Sequence, residues 1–200
     1  STRAAGRPVR RWAMLMSRPA FGAPAARPLV FAHRGGAALA PENTIAAFDR
    51  GLACGADGLE LDVRLARDGV PVVIHDATLD RTTDAVGPVA AYDAAALARV
   101  DAAWWFAPER GFPLRGAGIG VPRLEEVIAR YPGVPLLVEL KEASPALAER
   151  VVALLEAAGA IGRAAVGSFS LDAVRRVRAL APALATAAAP EEIRTAVVRA

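Results

Sequence analysis

Residues 59–63 constrain the fold of this chain most, because apolar and acidic residues alternate there with a period of two. Such alternation is the pattern of a β-strand, whose successive side chains point to opposite faces. It places Glu60 and Asp62 side by side on one face, with apolar residues on the other. Two carboxylates this close repel each other unless one is protonated or a cation lies between them. An amphipathic strand whose acids merely face water is the alternative interpretation.

Three other apolar runs in the sequence also end abruptly in side chains that can carry charge. These ends contribute His33 with Arg34, His75 with Asp76, and Glu139 with Lys141. In a parallel (β/α) barrel the carboxyl ends of the strands open on one face, where catalytic groups lie. The chain has only two histidines and one lysine, and all three occupy these ends. We therefore predict that the four ends form one functional site.

Five short motifs contain these residues and follow one another along the chain. They are His33-Arg34-Gly35, Pro41-Glu42-Asn43-Thr44, Glu60-Leu61-Asp62-Val63, the segment from Asp68-Gly69 to His75-Asp76, and Glu139-Leu140-Lys141. Each motif is weak alone, but their order and gaps, from about residue 29 to about residue 170, resemble the glycerophosphodiester phosphodiesterases. The resemblance implies hydrolysis of a small-molecule glycerophosphodiester to glycerol 3-phosphate and an alcohol.

The acids at the predicted site offer only oxygen ligands. Glu60, Asp62 and Glu139 therefore favour one hard divalent cation, Mg²⁺ or Ca²⁺, over zinc. Strand spacing does not choose between these two ions. With the carboxylates assigned to the metal, His33 and His75 are left as an acid–base pair, since an imidazole titrates near neutral pH.

The cationic residues at the strand ends suit the phosphate of such a substrate. Arg34 presents a fork of donors to phosphate oxygens, and Lys141 presents a point charge. The resemblance adds Glu42 near the metal and Asn43 in ordering the loop, although Pro-Glu-Asn-Thr is also an ordinary helix cap. It implies that one histidine deprotonates a glycerol hydroxyl, which attacks phosphorus, and that the other protonates the departing alcohol. Water then opens the cyclic phosphate, and the sequence does not assign which histidine is the base.

Two alternatives to this function remain open at the level of the sequence. One is a lysophospholipase D-type hydrolase that releases a lipid phosphate, which a large apolar groove in residues 77–121 would favour. The other is a catalytically silent barrel that only binds phosphate. Within that segment, Trp104, Trp105 and Phe106 suggest either a surface that stacks on a ligand or a hydrophobic plug.

The chain divides into a leader and one α/β domain. Residues 1–28 contain six arginines and no acid, which predicts a basic, flexible leader. Residues 29–200 predict an incomplete TIM-type (β/α) barrel that stops after about six strands, whereas a closed barrel takes roughly 250 residues. We therefore expect a fragment of a longer barrel. Residues 77–121 are predicted to form an insertion on the catalytic face, after strand 3.

The link between the second and third predicted strands is unusually short. Only the eight residues 64–71 are available, whereas a helical crossover between parallel strands needs a dozen or more. We predict an extended link with a tight Asp68-Gly69 turn, a third strand that rises parallel to the others, and no regular second helix. Elsewhere, Ser144, Ser170 and either Asn43 or Thr44 are candidate helix N-caps.

The composition is that of a globular protein, with 54% hydrophobic and 22% charged residues. The net charge of +3 comes from the leader, since the rest of the chain has 18 basic and 21 acidic residues. Charge therefore does not support binding to nucleic acid. No apolar run is long enough to span a membrane, and Cys54, predicted to be buried at a helix end, cannot form an internal disulfide. We expect a cytoplasmic enzyme of undetermined oligomeric state.

Overall fold

The structure is a computed structural model that describes residues 27–199. The predicted leader, residues 1–28, lies almost entirely outside the described residues. From residue 31 onward, the described part alternates strands with helices along the chain. This alternation is the pattern of an α/β fold, as the sequence predicts.

Within residues 27–199 the structure has six α-helices and six strands, and the strands form one sheet. They are β1 (Phe31–Ala32), β2 (Gly58–Leu65), β3 (Pro71–Val73), β4 (Leu136–Leu140), β5 (Ala164–Ser168) and β6 (Ala185–Thr186). Five strands are parallel and lie in the order β1-β2-β4-β5-β6, while β3 pairs with β2 in the antiparallel direction. The carboxyl ends of the parallel strands therefore share one edge of the sheet.

Six α-helices connect and cover the strands. They are α1 (Ile45–Ala53), α2 (Ala94–Leu97), α3 (Leu124–Arg130), α4 (Pro145–Ala157), α5 (Leu171–Leu180) and α6 (Pro190–Arg199). The predicted N-caps are confirmed: Thr44, Ser144 and Ser170 each accept a hydrogen bond from the backbone N–H three residues later. These bonds satisfy donors that the first turn of a helix leaves unpaired.

Strand β2 lies between β1 and β4, with its apolar side chains in the main core. Leu59, Leu61 and Val63 are fully buried against residues of α1, α3, α4 and β4. Glu60 and Asp62, which alternate with them, are buried as well. The predicted two-faced strand is confirmed, and the alternative in which its acids merely face water is wrong.

The predicted direction of β3 is wrong. The chain continues along β2 to Leu65, turns at Asp68-Gly69, and returns beside β2 with Val63 opposite Val73. Gly69 takes a φ of 75°, which the turn requires and glycine adopts without strain. Eight residues can close a hairpin beside β2 but cannot carry a helix back across the sheet. The absence of a second barrel helix is confirmed, and β2 becomes the neighbour of β4.

The segment 77–121 is built from short pieces around a second small core, which it shares with residues 66–74. Besides α2, it contains two 3₁₀ turns, at Val89–Ala91 and Pro108–Arg110. Its buried cluster consists of Ala66, Val72, Ile74, Leu79, Val89, Ala94, Leu97, Ala102 and Val121. A hydrophobic plug is therefore present, but none of the three predicted aromatic residues belongs to it.

Two further predictions concern the surface. Within residues 27–199, no helix is both long enough and apolar enough to cross a membrane. Cys54 caps the carboxyl end of α1 and is exposed, so its predicted burial is wrong. The buried residues of α1 are instead Ala47, Phe48 and Gly51.

Candidate active site

Three carboxylates converge between the middle of β2 and the carboxyl-terminal part of β4. The register pairs Asp62 with Glu139 on the adjacent strand, and Glu60 lies two residues before Asp62 on the same face. One carboxylate oxygen of each residue lies within 4.8 Å of those of the other two. This arrangement matches the three-acid cluster that the sequence predicts. The arrangement exists because β2 and β4 are direct neighbours in the sheet.

The chemistry of this cluster fits a hard divalent cation. Asp62 Oδ1 is buried and accepts no hydrogen bond of good geometry from the described residues, so a lone pair is left for another partner. Burial is the largest influence that raises the pKa of Glu60, and the charges of Asp62 and Glu139 raise it further. A cation among these oxygens would offset both effects.

Two cationic side chains border the carboxylates. Lys141 Nζ donates to Glu139 Oε1 at 2.7 Å and lies 3.1 Å from Asp62 Oδ1. Arg34 Nε lies 3.3 Å from Asp62 Oδ2, and the Arg34 backbone N–H donates to Glu60 Oε2 at 2.7 Å. The predicted phosphate-binding residues therefore lie beside the acids, where a substrate phosphate bound to a cation would meet them.

The backbone conformation of the loop after β1 places the N–H of Arg34 beside Glu60. Arg34 itself has a φ of 50°, in the left-handed region that non-glycine residues seldom adopt. Gly35 follows with a φ of 80°, and a Cβ there would lie 2.6 Å from the ring of Phe48. Close packing of this loop on α1 thus holds the Arg34 N–H against Glu60.

Asn43 orders the second loop of the site. Its Nδ2 donates to Asp62 Oδ2 at 2.8 Å, and its Oδ1 accepts from the Asp62 N–H at 3.2 Å. The residue is buried and has a φ of 58°, a conformation that asparagine tolerates better than most residues. The ordering role implied by the family resemblance is consistent with these two bonds, which fix the side chain of a metal-ligand candidate.

Glu42 lies beside the acid cluster without joining it. Its Oε1 accepts from Arg34 Nη1 at 2.9 Å, and Arg81 contacts both of its oxygens, at 2.7 and 3.0 Å. Burial alone would raise the pKa of Glu42, but the two guanidinium groups outweigh burial and leave the pKa below its usual value. Glu42 is therefore an ionised bridge between two arginines.

The two histidines occupy different settings. His33 is 70% exposed at its side chain, and its Nε2 lies 4.0 Å from Glu60 Oε2. His75 is less exposed, and its Nδ1 lies 2.6 Å from Asp76 Oδ1, which leaves Nε2 as the nitrogen available to a ligand. His75 reaches the catalytic face by way of the β2–β3 hairpin, in which the Ile74 N–H donates to Asp62 O at 3.0 Å.

Asp76 and Arg81 add an ion pair to the network around the site, and the sequence did not predict this pair. Arg81 Nε donates to Asp76 Oδ2 at 2.5 Å, and the same guanidinium holds Glu42. Arg81 is the main reason that the pKa of Asp76 falls to about 2. The sequence offers little indication of this bridge, because Arg81 and Glu42 are 39 residues apart.

A stability prediction follows from these ion pairs. The lowered pKa of Asp76 means that its contribution to folding is present above the usual carboxyl range and is lost as pH falls toward about 2. Glu42 contributes with the same sign. We expect Arg81→Met to have a lower free energy of unfolding than wild type at neutral pH. The difference between the two proteins should become smaller toward pH 2. Urea unfolding across this pH range measures that difference in free energy. A difference that stays constant or grows as the pH falls would contradict the stabilising role of the Arg81 ion pairs.

A cleft of about 380 Å³ opens beside this network. Glu42 and Arg81 form one wall, and Trp105, Phe106 and Arg110 belong to the wall contributed by the segment 77–121. Trp105 is 49% exposed, so its ring is available to a ligand. Of the residues that line the cleft, Glu42 contacts Arg34, which in turn contacts the acid cluster.

Arg115, in the segment 77–121, is held by aromatic residues of the same segment. Its guanidinium lies 3.8 Å from the ring centroid of Phe112 and 4.2 Å from that of Trp104. Its Nε donates to the backbone oxygen of Trp104 at 2.9 Å. These cation–π contacts tie Arg115 to the fold of the segment rather than to the site.

Comparison with known proteins agrees with this site. Residues 33–194 match the family model described as the Glycerophosphoryl diester phosphodiesterase family. A glycerophosphodiester phosphodiesterase of Caldanaerobacter subterraneus is 37% identical over 161 residues, which cover 78% of this chain and 64% of that protein.

Two solved structures have the same fold. The glycerophosphoryl diester phosphodiesterase domain of a Mycobacterium tuberculosis protein gives a TM-score of 0.76 at 32% identity, covering 84% of this chain and 62% of that one. A phosphodiesterase of Oleispira antarctica in complex with the product sn-glycerol-3-phosphate gives 0.67 at 32% identity, covering 80% and 64%. These similarities confirm the predicted α/β barrel fold class.

The matched region covers a larger share of this chain than of its relatives. The chain spans 64% of the length of the Caldanaerobacter relative. The matched region nevertheless includes every residue placed at the site above, from His33 to Lys141. With its fold shared by the solved structures and most of its length covered by the family model, the chain belongs to the glycerophosphoryl diester phosphodiesterase family.

Proposed function

We propose that this chain carries the catalytic site for hydrolysis of glycerophosphodiesters to glycerol 3-phosphate and an alcohol. The observation that carries the proposal is the cluster of Glu60, Asp62 and Glu139, whose oxygens lie within 4.8 Å of one another. Lys141 and Arg34 border that cluster, and His33 Nε2 lies 4.0 Å from Glu60 Oε2. The His75 ring is linked to Arg34 through Asp76, Arg81 and Glu42. Such a set suits a phosphodiester, whose transition state carries negative charge on its oxygens.

The carboxylates would hold one Mg²⁺ or Ca²⁺. When bound, such an ion supplies positive charge that offsets the charge developing on the phosphoryl oxygens. Asp62, with Asn43 fixing one oxygen, is the most firmly placed of the three acids. Arg34 and Lys141 bind the remaining phosphate oxygens and exchange contacts with the carboxylates for contacts with substrate.

His33 and His75 would move the protons of the reaction. One imidazole removes the proton from a glycerol hydroxyl, whose oxygen attacks phosphorus and forms a cyclic phosphate. The other imidazole donates its proton to the oxygen of the departing alcohol. Water then opens the cyclic phosphate, with the two histidines exchanging roles, so each regains its starting protonation state. Asp76 steadies His75 through Nδ1, so the proton would be exchanged at Nε2.

The departing alcohol would lie in the cleft beside Glu42 and Arg81. Charged side chains line this cleft, including Glu109 and Arg110, so an acyl chain placed there would remove them from water at a cost. We therefore favour a small polar alcohol, such as choline or ethanolamine, over the long chain of a lysophospholipid. The exposed face of Trp105 provides a stacking surface for such a group.

The test of the proposed function is an assay with glycerophosphocholine in the presence and absence of EDTA. We expect release of choline and glycerol 3-phosphate, loss of release in EDTA, and recovery with added Mg²⁺ or Ca²⁺. Phosphate binding without turnover, under every metal condition, would favour a silent phosphate-binding barrel. Faster release of a lipid phosphate from lysophosphatidylcholine would favour the lysophospholipase D-type alternative.

A specific prediction concerns Trp105. Trp105→Ala should raise KM for glycerophosphocholine about 3- to 10-fold, the range that an aromatic contact contributes, with little change in kcat. Val86→Ala is a matched control, since Val86 is exposed in the same segment and does not line the cleft. Steady-state kinetics distinguish the two variants. Equal KM values in Trp105→Ala and Val86→Ala would mean that the alcohol does not bind against Trp105.

A further inference from the structure

We propose that Arg81 is a positioning residue that holds His75 and Arg34 in place together, through Asp76 and Glu42. The proposal rests on the function proposed above for the site. Arg81 comes from the segment 77–121, whereas the groups it would hold come from the β3 end and from the loop after β1. It is the point at which these three parts of the chain meet.

The geometry of Arg81 uses all three nitrogens of the guanidinium. Nε donates to Asp76 Oδ2 at 2.5 Å, while Nη2 and Nη1 donate to the two oxygens of Glu42 at 2.7 and 3.0 Å. A planar fork can hold two carboxylates at fixed angles, which a lysine ammonium cannot do. The arrangement therefore fixes the separation between Asp76 and Glu42.

Each carboxylate uses a different contact to hold a group of the proposed site. Asp76 Oδ1 lies 2.6 Å from His75 Nδ1, and Glu42 Oε1 accepts from Arg34 Nη1 at 2.9 Å. Arg34 in turn contacts Glu60 and Asp62. A continuous line of polar contacts thus runs from His75 to the three-acid cluster, with Arg81 at its middle.

The side chain of Arg81 is 48% exposed, so its salt bridges would be worth little as isolated surface pairs. Their effect on geometry is larger, because a displacement of about 1 Å at a reacting group can cost about 100-fold in rate. We expect Arg81→Met to lower kcat by about 10- to 100-fold with a small change in KM. A residue that only bound the substrate alcohol would instead raise KM and leave kcat unchanged, and that result would overturn the proposal.

Arg67→Met is the matched control. Arg67 also reaches the segment 77–121, and its fork holds Asp93 at 2.9 and 2.6 Å, but neither residue contacts the site. Both variants should lose some stability in urea unfolding. Only Arg81→Met should lose kcat, so equal losses of kcat in the two variants would show that Arg81 merely anchors the segment.

The spectrum of the histidines gives a readout that does not need activity. The chain has two histidines, and His33→Gln assigns them in a ¹⁵N imidazole NMR experiment. In the wild type, neutral His75 should carry its proton on Nδ1, because Asp76 Oδ1 faces that atom. In Arg81→Met the Nδ1–H tautomer of His75 should no longer be the more populated one. In Arg67→Met its population should be unchanged. An unchanged His75 tautomer in Arg81→Met overturns the proposal even if the enzyme assay fails.

Two further variants keep the test decisive. If Arg81→Met does not fold, Arg81→Lys preserves the charge but replaces the rigid planar fork with a point charge on a flexible stem. The two carboxylates would then lose their fixed separation, so kcat and the tautomer should still change. In the double variant of Arg81→Met with Asp76→Asn, the increase in ΔG‡ should be smaller than the sum of the increases in the two single variants. Additive losses would mean that the two residues act independently.

Discussion

His33→Ala and His75→Ala are each expected to lower the turnover of glycerophosphodiesters by about 10²–10⁴-fold, the contribution of a positioned acid or base. The two residues are the only histidines of the chain. His33 Nε2 lies 4.0 Å from Glu60 Oε2, and the N–H of Ile74, next to His75, donates to the backbone oxygen of Asp62. Neither histidine belongs to the acid cluster. Metal affinity, measured by titration calorimetry, should therefore remain close to wild type while turnover is lost.

The same two variants can assign the roles of acid and base. A substrate with a p-nitrophenolate leaving group needs no proton at departure, so the variant that lacks the acid should recover much of its rate. The variant that lacks the base should not, because the attacking hydroxyl still carries its proton. Retention of more than a tenth of the wild-type rate on glycerophosphocholine, in either variant, would remove that histidine from the mechanism.

Neutral replacements of the three acids should weaken metal binding most. Glu60→Gln, Asp62→Asn and Glu139→Gln keep the shape of each side chain and remove its charge. We expect each to lower Mg²⁺ or Ca²⁺ affinity by more than about 10- to 100-fold, the loss typical of a partner one shell further out. Asp62→Asn should show the largest effect, because Asp62 is the most buried of the three and has an oxygen without a hydrogen bond.

Asp57→Asn is the control for this series. Asp57 is also a buried carboxylate next to β2, but it lies at the amino end of the strand and pairs with Arg27 at 2.7 and 2.8 Å. Its replacement should cost stability without changing metal affinity. Activity of the three site variants should be partly restored by excess metal, and three unchanged affinities would show that the acids hold no cation.

The helices and turns of this chain could be predicted from the sequence because their determinants are local. Thr44, Ser144 and Ser170 bond to backbone groups three residues away, and Asp68-Gly69 closes a turn within a few residues. The period of two around Glu60 likewise indicated which side chains share a face. Such features need no information about the rest of the chain.

The neighbour of β2 could not be predicted in the same way. Strand order depends on which long-range pairing gives the best burial and hydrogen bonding, and the eight-residue link before β3 was compatible with more than one direction. The antiparallel return of β3 leaves the other side of β2 to β4, which sets Asp62 opposite Glu139. A three-acid cluster was expected from the strand ends, but the contact that forms it comes from this pairing.

The sequence by itself determined the residue types of the site and their positions at strand ends, because alternation and chain order are properties of neighbouring residues. Only the tertiary structure decided how those ends join. Arg81 reaches Glu42 across 39 residues and Asp76 across five, and the first of these contacts exists only because the segment 77–121 folds back over the loop after β1. Contacts of this kind follow from packing of distant segments, which no local pattern encodes.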